Sequence, residues 1–319
     1  MSLPSVLTGL RLPVIAAPMF IVSGPELVIE SCKAGVVGSF PALNAREPET
    51  LDGWLTTIES ALAAQRAAKP GAFVAPFAVN LIVNPANKRL DADIDTVARH
   101  RVPIVITSLS APHKVVEAVH GYGGIVVHDV VRARHAEKAL EAGVDGLILV
   151  CAGAGGHAGT TNPIALTQEV RRFFMGPLAL SGAITSGDGI LAAQAMGCDL
   201  AYVGTRFIAT QESRAKAAYK QMILESKSTD IVYTPLFSGV HGSYLGGSIR
   251  NAGLDPANLP VPEAPGRYKS RDERSKVWTD IWGAGQGVGN IDDVPPVAEL
   301  VDRLEREYRA TRARITGAA

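Results

Sequence analysis

Charge is scarce in this chain and balanced where it occurs. Only 19% of the 319 residues are Asp, Glu, Lys or Arg, and 31 basic residues meet 31 acidic ones. No charge field is available to hold nucleic acid or an anionic membrane surface. Cysteine is rarer still. Cys32, Cys151 and Cys198 lie far apart, at no metal-ligand spacing, and an odd, sparse count fits reduced thiols in a cytoplasmic protein. The histidines are scattered and none pairs with a carboxylate at ligand spacing, so no metal site is expected. Long apolar runs are missing too. No stretch of ~18 uncharged apolar residues marks a membrane span. The first nine residues lack the basic stretch and apolar run of a signal peptide.

Small and apolar residues are plentiful instead. Hydrophobic residues make up 47% of the chain, enough for a large buried core. The 32 glycines fit many tight strand-to-helix turns, and equally fit loops.

Eight short apolar runs punctuate the first two thirds, at 13–18, 35–40, 77–81, 104–109, 124–128, 146–150, 178–181 and 200–204. Most are rich in Val, Ile and Ala with little polar alternation, which is how strands buried on both faces read. Helical patterns separate most of them, at 26–34, 48–68, 94–100, 112–119, 131–142, 164–174, 189–196 and 213–226. Ala142-Gly143-Val144-Asp145 and Met196-Gly197-Cys198-Asp199 are near-repeats in which glycine suits a left-handed helix cap. Strands alternating with helices imply a parallel sheet with right-handed crossovers. Eight units predict an α/β fold of (β/α)₈ TIM-barrel type, with a doubly wound open sheet as the alternative.

The pattern changes after Ser226. Residues 229–289 are rich in Gly, Pro and aromatics, with too few periodic apolar residues for a core of their own. We read 1–228 and 290–319 as the barrel with a closing helix at 297–315. We read 229–289 as a lid carrying Tyr233, Phe237, Tyr244, Trp278 and Trp282. The stripe Leu300, Leu304 and Tyr308 on the last helix suits packing on the barrel, or on a second copy in a homodimer. Arg267–Arg274 reads as solvated loop charge.

A barrel of this type carries its chemistry at the C-terminal strand ends. Strand six ends in Cys151-Ala152-Gly153-Ala154-Gly155-Gly156-His157. The glycines let backbone approach a planar ring, and His157 is the only strongly polar side chain nearby. Taken alone, such a histidine is an ordinary turn residue; its place after a barrel strand points to catalysis. Strands seven and eight end in Ser181-Gly182-Ala183-Ile184 and Gly204-Thr205-Arg206-Phe207, tight turns where barrels cradle phosphate. Ala17, Pro18 and Met19 follow strand one, and Asn80 closes strand three. Met19 is equally a core filler. Asn80 needs hydrogen-bond partners, which a flavin edge or a loop can supply. His128 ends strand five, at the ring or one layer behind it.

Together these motifs resemble the nitronate monooxygenase family (2-nitropropane dioxygenase-like). The Gly155-Gly156-His157-Ala158-Gly159 element is the specific part, and the likeness runs from about Leu10 to about Gly289. The resemblance implies a non-covalent FMN under a lid, held by Ala17, Pro18, Met19, Asn80, His128, Gly155, Gly156, Ser181, Gly182, Ala183, Gly204 and Thr205. It also implies a late contact from Gln286, in Trp282-Gly283-Ala284-Gly285-Gln286. It further implies that His157 contacts the substrate nitro group, or acts as base on a neutral nitroalkane. Small-molecule nitronate and O2 would be converted to a carbonyl compound and nitrite. Imidazole titrates near neutral pH and suits either role. Trp278, Trp282 and Phe237 would exclude water. Where some members carry a lysine near the flavin after strand five, this chain has His128.

Three other readings compete. One is an FMN- and NAD(P)H-dependent enoyl-thioester (enoyl-ACP) reductase of the same fold. Another is a flavin-free phosphate-binding isomerase or aldolase, whose usual strand-six lysine is not evident. The third is a yellow but inert flavin-binding protein.

Overall fold

The computed structural model describes residues 3–260 and 278–317. In chain order its barrel elements begin with β1 (Val14–Ala16), α1 (Pro25–Lys33), β2 (Gly38–Pro41), α2 (Pro48–Ala68), β3 (Phe77–Val83) and α3 (Leu90–Arg99). Next come β4 (Ile104–Leu109), α4 (His113–His120), β5 (Ile125–Val130), α5 (Ala133–Glu141) and β6 (Gly146–Val150). A two-residue strand, β7 (Gly156–His157), precedes α6 (Pro163–Arg171), β8 (Leu178–Ser181), α7 (Gly187–Ala195), β9 (Leu200–Val203) and α8 (Thr205–Ile208).

Eight of these strands form one parallel sheet in the order β1-β9-β8-β6-β5-β4-β3-β2. Its two ends meet. Ile15 bridges Val37 in parallel, the Ala16 amide donates to Val37 O at 2.8 Å, and the Val37 amide donates to Val14 O at 3.0 Å. The sheet is therefore a (β/α)₈ barrel, not an open doubly wound sheet, and closure leaves no strand edge unpaired.

Residue parity sets what faces the axis. Ile15, Ala78, Ile106, Val127, Ile148 and Leu200 form the packed interior. Their neighbours Val14, Val79, Val105, Val126 and Leu147 face the helices. The two near-repeats do identical work. Gly143 and Gly197 take φ of +86° and +105°, ending α5 and α7. The aspartate two residues on then caps the adjacent strand: Asp145 accepts from the Val126 amide at 2.7 Å, Asp199 from that of Leu178 at 2.9 Å.

After the barrel come α9 (Ala217–Glu225), β10 (Ile231–Thr234), β11 (Gly242–Leu245) and α10 (Gly246–Asn251). β10 pairs with β11, and β11 pairs antiparallel with β7, with Gly242 opposite His157. This segment differs from expectation in building a small core: Phe237, Tyr244, Ile249 and Ile281 are buried together. The apolar residues reach each other across the hairpin, which linear periodicity does not register. The last helix, α11 (Val297–Thr316), lays Leu300 and Leu304 into the barrel's outer core, and the Tyr308 hydroxyl donates to Gln194 of α7. Arg267–Arg274 lies outside the described residues. Among those described, no helix is long and apolar enough to cross a membrane.

Candidate active site

A cavity of about 770 Å³ opens at the C-terminal strand ends. That volume lies within the range of roughly 300–1,000 Å³ typical of cofactor and substrate sites. Ala17, Pro18, Met19, Asn80, Gly155, Gly156, His157, Ser181, Gly182, Ala183, Gly204 and Thr205 all line it. Ala17 and Gly204, far apart in sequence, meet here because barrel closure brings β1 beside β9.

His157 sits on β7, pinned from above by the hairpin. Its Nε2 lies 2.8 Å from Ser238 Oγ. Ser238 Oγ donates to Val240 O at 2.9 Å and accepts from the Tyr244 hydroxyl at 3.2 Å. The direction of the His157–Ser238 bond follows the imidazole tautomer: a serine proton given to Val240 O, which only accepts, makes Nε2–H of His157 the donor to Ser238. The indole of Trp278 meets the imidazole edge-on, ring centres 5.6 Å apart. Ser238 is buried, so the clamp is screened from water.

Opposite, the inward parity of the strands turns polar above the apolar plug. Asn80 follows Ala78, Ser108 follows Ile106, Asp129 follows Val127 and Tyr202 follows Leu200, each two residues on and on the same face. Asn80 Nδ2 donates to Ser108 Oγ at 2.9 Å, and Ser108 donates to Asp129 Oδ2 at 2.5 Å. At the mouth stand Arg132 and His135, with Tyr233 stacked on His241 at 5.1 Å. Sequence reading missed Ser108, Asp129, Arg132, His135, Ser238 and His241.

Two expected cofactor residues are placed elsewhere. His128 lies on the helix-facing side of β5 between Val126 and Val130, is buried, and bonds Thr107 Oγ1 through Nδ1 at 2.8 Å. Its neighbour Asp129 takes the cavity position. Burial, aided by nearby His135, lowers the His128 pKa from 6.5 to about 4. The unfolded chain therefore binds a proton here at a pH where the folded protein does not. Stability is fully present above about pH 6.5 and is lost as pH falls toward 4, by roughly 3 kcal/mol from this group. His128→Gln is expected to flatten the fall in melting temperature over that window; an unchanged profile would refute the assignment.

Gln286 is the other. Its side chain is exposed and does not line the cavity, whereas the glycines either side of it, Gly285 and Gly287, do. The Gln286 amide donates to Gly153 O at 2.9 Å, so this segment acts by gripping the strand-six loop. A Cβ on Gly285 would meet Gly153 O at 2.5 Å and the Gly155 amide at 2.9 Å. Both are backbone and cannot rotate away. Gly285→Ala is expected to cost about 1–3 kcal/mol and to loosen the loop that carries His157. A melting temperature equal to the parent's would contradict this. Among the three expected water-excluding aromatics, only Trp278 lines the cavity. Phe237 packs edge-on against Tyr244, and Trp282 stacks on Tyr219 at 4.9 Å.

The lining suits a planar, phosphorylated cofactor. Pro18, Met19, Val150 and Ala154 offer apolar walls, and the ring of Asn80, Ser108 and Asp129 offers hydrogen-bonding groups. Across the cavity, a Cβ on Gly204 would sit in ordinary van der Waals contact with Ala17 Cβ at 3.7 Å and Met19 Sδ at 3.8 Å, so the β9 loop packs against the β1 loop and lines the cavity with backbone. Cys151 is buried and its thiol is pushed up to about 12 by burial, which removes it as a nucleophile.

Comparison with known proteins gives the family and the fold. A family model described as nitronate monooxygenase matches residues 4–307. A nitronate monooxygenase of Paraburkholderia phytofirmans is 26% identical over 352 residues, covering 95% of this chain and 94% of the relative. A probable nitronate monooxygenase of Staphylococcus haemolyticus is 27% identical over 235 residues, 68% of this chain and 65% of that protein's length. Among solved structures, nitroalkane oxidase from Streptomyces ansochromogenes superposes with a TM-score of 0.81 at 23% identity, over 98% of this chain and all of that one (100%). A variant of FabK from Thermotoga maritima superposes at 0.77 with 25% identity, over 98% and 97% of the two chains. With the barrel, the histidine loop and the family model in agreement, this chain belongs to the nitronate monooxygenase family of flavin oxidoreductases.

Proposed function

We propose that this protein binds FMN at the C-terminal face of its barrel and uses molecular oxygen to oxidise alkyl nitronates, or the nitroalkanes that give rise to them, to a carbonyl compound and nitrite. The observation that carries the reading is the clamp on His157, whose imidazole is held at the cavity wall by Ser238 and Trp278. FMN supplies the redox chemistry; the chain supplies position and charge.

Gly182-Ala183 and Gly204-Thr205 would hold the cofactor phosphate, Pro18 and Met19 would support the ring, and Asn80 would hydrogen-bond its polar edge. With Nε2–H committed to Ser238, neutral His157 carries its lone pair on Nδ1. There it accepts a proton from the carbon of a nitroalkane, and once protonated it steadies the anionic nitro group. Trp278 keeps water from the reacting atoms.

The likeness to FabK supports a second reading, reduction of an enoyl thioester by NAD(P)H. One experiment separates the two. The purified protein, loaded with FMN, is mixed anaerobically with propyl nitronate, and air is then admitted. Loss of the oxidised flavin band followed by nitrite release is expected. A band that survives nitronate but is bleached by NADPH would move the assignment to the reductase.

A further inference from the structure

Among the described residues, one carboxyl group at the floor of the cavity has no charged partner. Asp129 projects inward from the end of β5 and accepts hydrogen bonds from the Ser108 hydroxyl and the Leu109 amide. No cation among the described residues acts on it: burial pushes its pKa up to about 6, and those two neutral donors only partly oppose the shift. The elements around it bring no counter-charge. β4 contributes Ser108 and β3 contributes Asn80, neither of which titrates. β6 contributes the apolar Val150. Tyr202 from β9 is the titratable neighbour, and burial together with Asp129 drives its pKa well up, so it stays neutral. His128 on the same strand faces the helices. Arg132, His135 and His157 line the same cavity, and none of them shifts Asp129.

The residual exposure of Asp129 is toward the cavity itself. We propose that Asp129 takes up a proton when the flavin ring fills the cavity, so that a neutral carboxylic acid faces the bound cofactor. The inference rests on the flavin reading above. A ring in the cavity displaces the water that solvates the carboxylate, and no cation replaces that solvation. Protonation removes the buried charge and turns an acceptor-only group into a donor for an acceptor on the ring edge. Above the free-protein pKa the protein thus gains up to one proton for each cofactor bound.

The sign follows from linkage. Binding that raises an acid's pKa consumes protons, so affinity is flat below the free-protein pKa and falls as pH rises above it. The limit for one proton is tenfold per pH unit. The apo-protein is titrated with FMN from about pH 5.5 to about pH 8.5, following quenching of flavin fluorescence. The FMN phosphate also titrates near pH 6, but equally for every variant, so the difference from Asp129→Asn isolates the carboxyl. The wild type is expected to lose about three- to tenfold in affinity per unit above pH 6 relative to Asp129→Asn. The variant is also expected to bind FMN more tightly than the wild type at pH 8. Calorimetry in buffers of different ionisation heat should show extra proton uptake by the wild type. Asp129→Ser gives the same comparison should the amide impair folding. Parallel pH profiles for wild type and both variants, or a difference of opposite sign, would overturn the proposal. Failure to bind FMN at any pH would instead remove the flavin reading on which it rests.

Discussion

His157→Ala is expected to lower kcat/KM for a neutral nitroalkane by about 10²- to 10⁴-fold, the range for loss of a positioned acid–base group. Pro18, Met19, Asn80 and the loops after β8 and β9 lie outside the His157 loop and keep their place at the cavity, so bound FMN is expected to stay near that of the parent. The effect should divide by substrate. A preformed nitronate needs no deprotonation and loses only the contact to its nitro group, so its loss should be smaller. Ser238→Ala serves as a companion. It leaves the imidazole in place but frees Nε2 from the donor role that Ser238 and Val240 impose. Its loss should be intermediate, with a changed pH profile of kcat. Equal rates for wild type and His157→Ala on a neutral nitroalkane would exclude the histidine from catalysis. An equal loss on both substrates would assign it to binding alone.

The largest stability effect is expected at Asp293. Arg206, directly after the Gly204-Thr205 loop, is only 3% exposed. Its Nη2 pairs with Asp293 Oδ1 at 2.8 Å and its Nη1 donates to Asp293 O at 3.2 Å. Arg303 of α11 pairs with the same carboxylate, donating at 3.1 Å to Oδ1. These guanidiniums, Arg303 foremost, hold the Asp293 carboxyl below the usual range. Asp293→Ala would leave a buried cation facing a second one. Breaking a buried pair from one side costs about 3–5 kcal/mol; because Asp293 is itself 37% exposed, the lower end applies. The melting temperature should drop by at least ~5 °C, and FMN affinity should weaken because α8 loses its anchor. Removing both charges with Arg206→Met and Asp293→Leu should recover most of the stability, since the penalty lies in the orphaned charge. A single variant that melts with the parent would show that water reaches Arg206.

Much of the architecture is written in local sequence. Most barrel strands are short runs rich in Val, Ile, Leu and Ala between turn residues, because a strand covered by helices outside and by the plug inside has no face for water. The glycine–aspartate repeats at 143–145 and 197–199 are legible because they act within a few residues, ending one helix and starting the next strand. The loops that line the cavity were legible for a related reason: glycines and small residues cluster where the backbone must turn sharply after a strand.

What only the tertiary structure decided is which residues of those strands look inward and who meets whom. A strand apolar on both faces carries no alternation to reveal its parity, so His128 and Asp129 were equally eligible from sequence. Barrel closure chose Asp129, since Val127 already faces the axis. The partner of His157, 81 residues further on at Ser238, leaves no trace in local pattern. Neither does the small core of Phe237, Tyr244, Ile249 and Ile281. Gln286 is expected at the cofactor from the likeness of its segment to a late family motif, yet its side chain is exposed and the flanking Gly285 and Gly287 line the cavity. Local sequence specifies turns and strands because those depend on short-range sterics. The facing of the strands and the clamp on the histidine depend on contacts between distant segments, and those exist only once the barrel has closed.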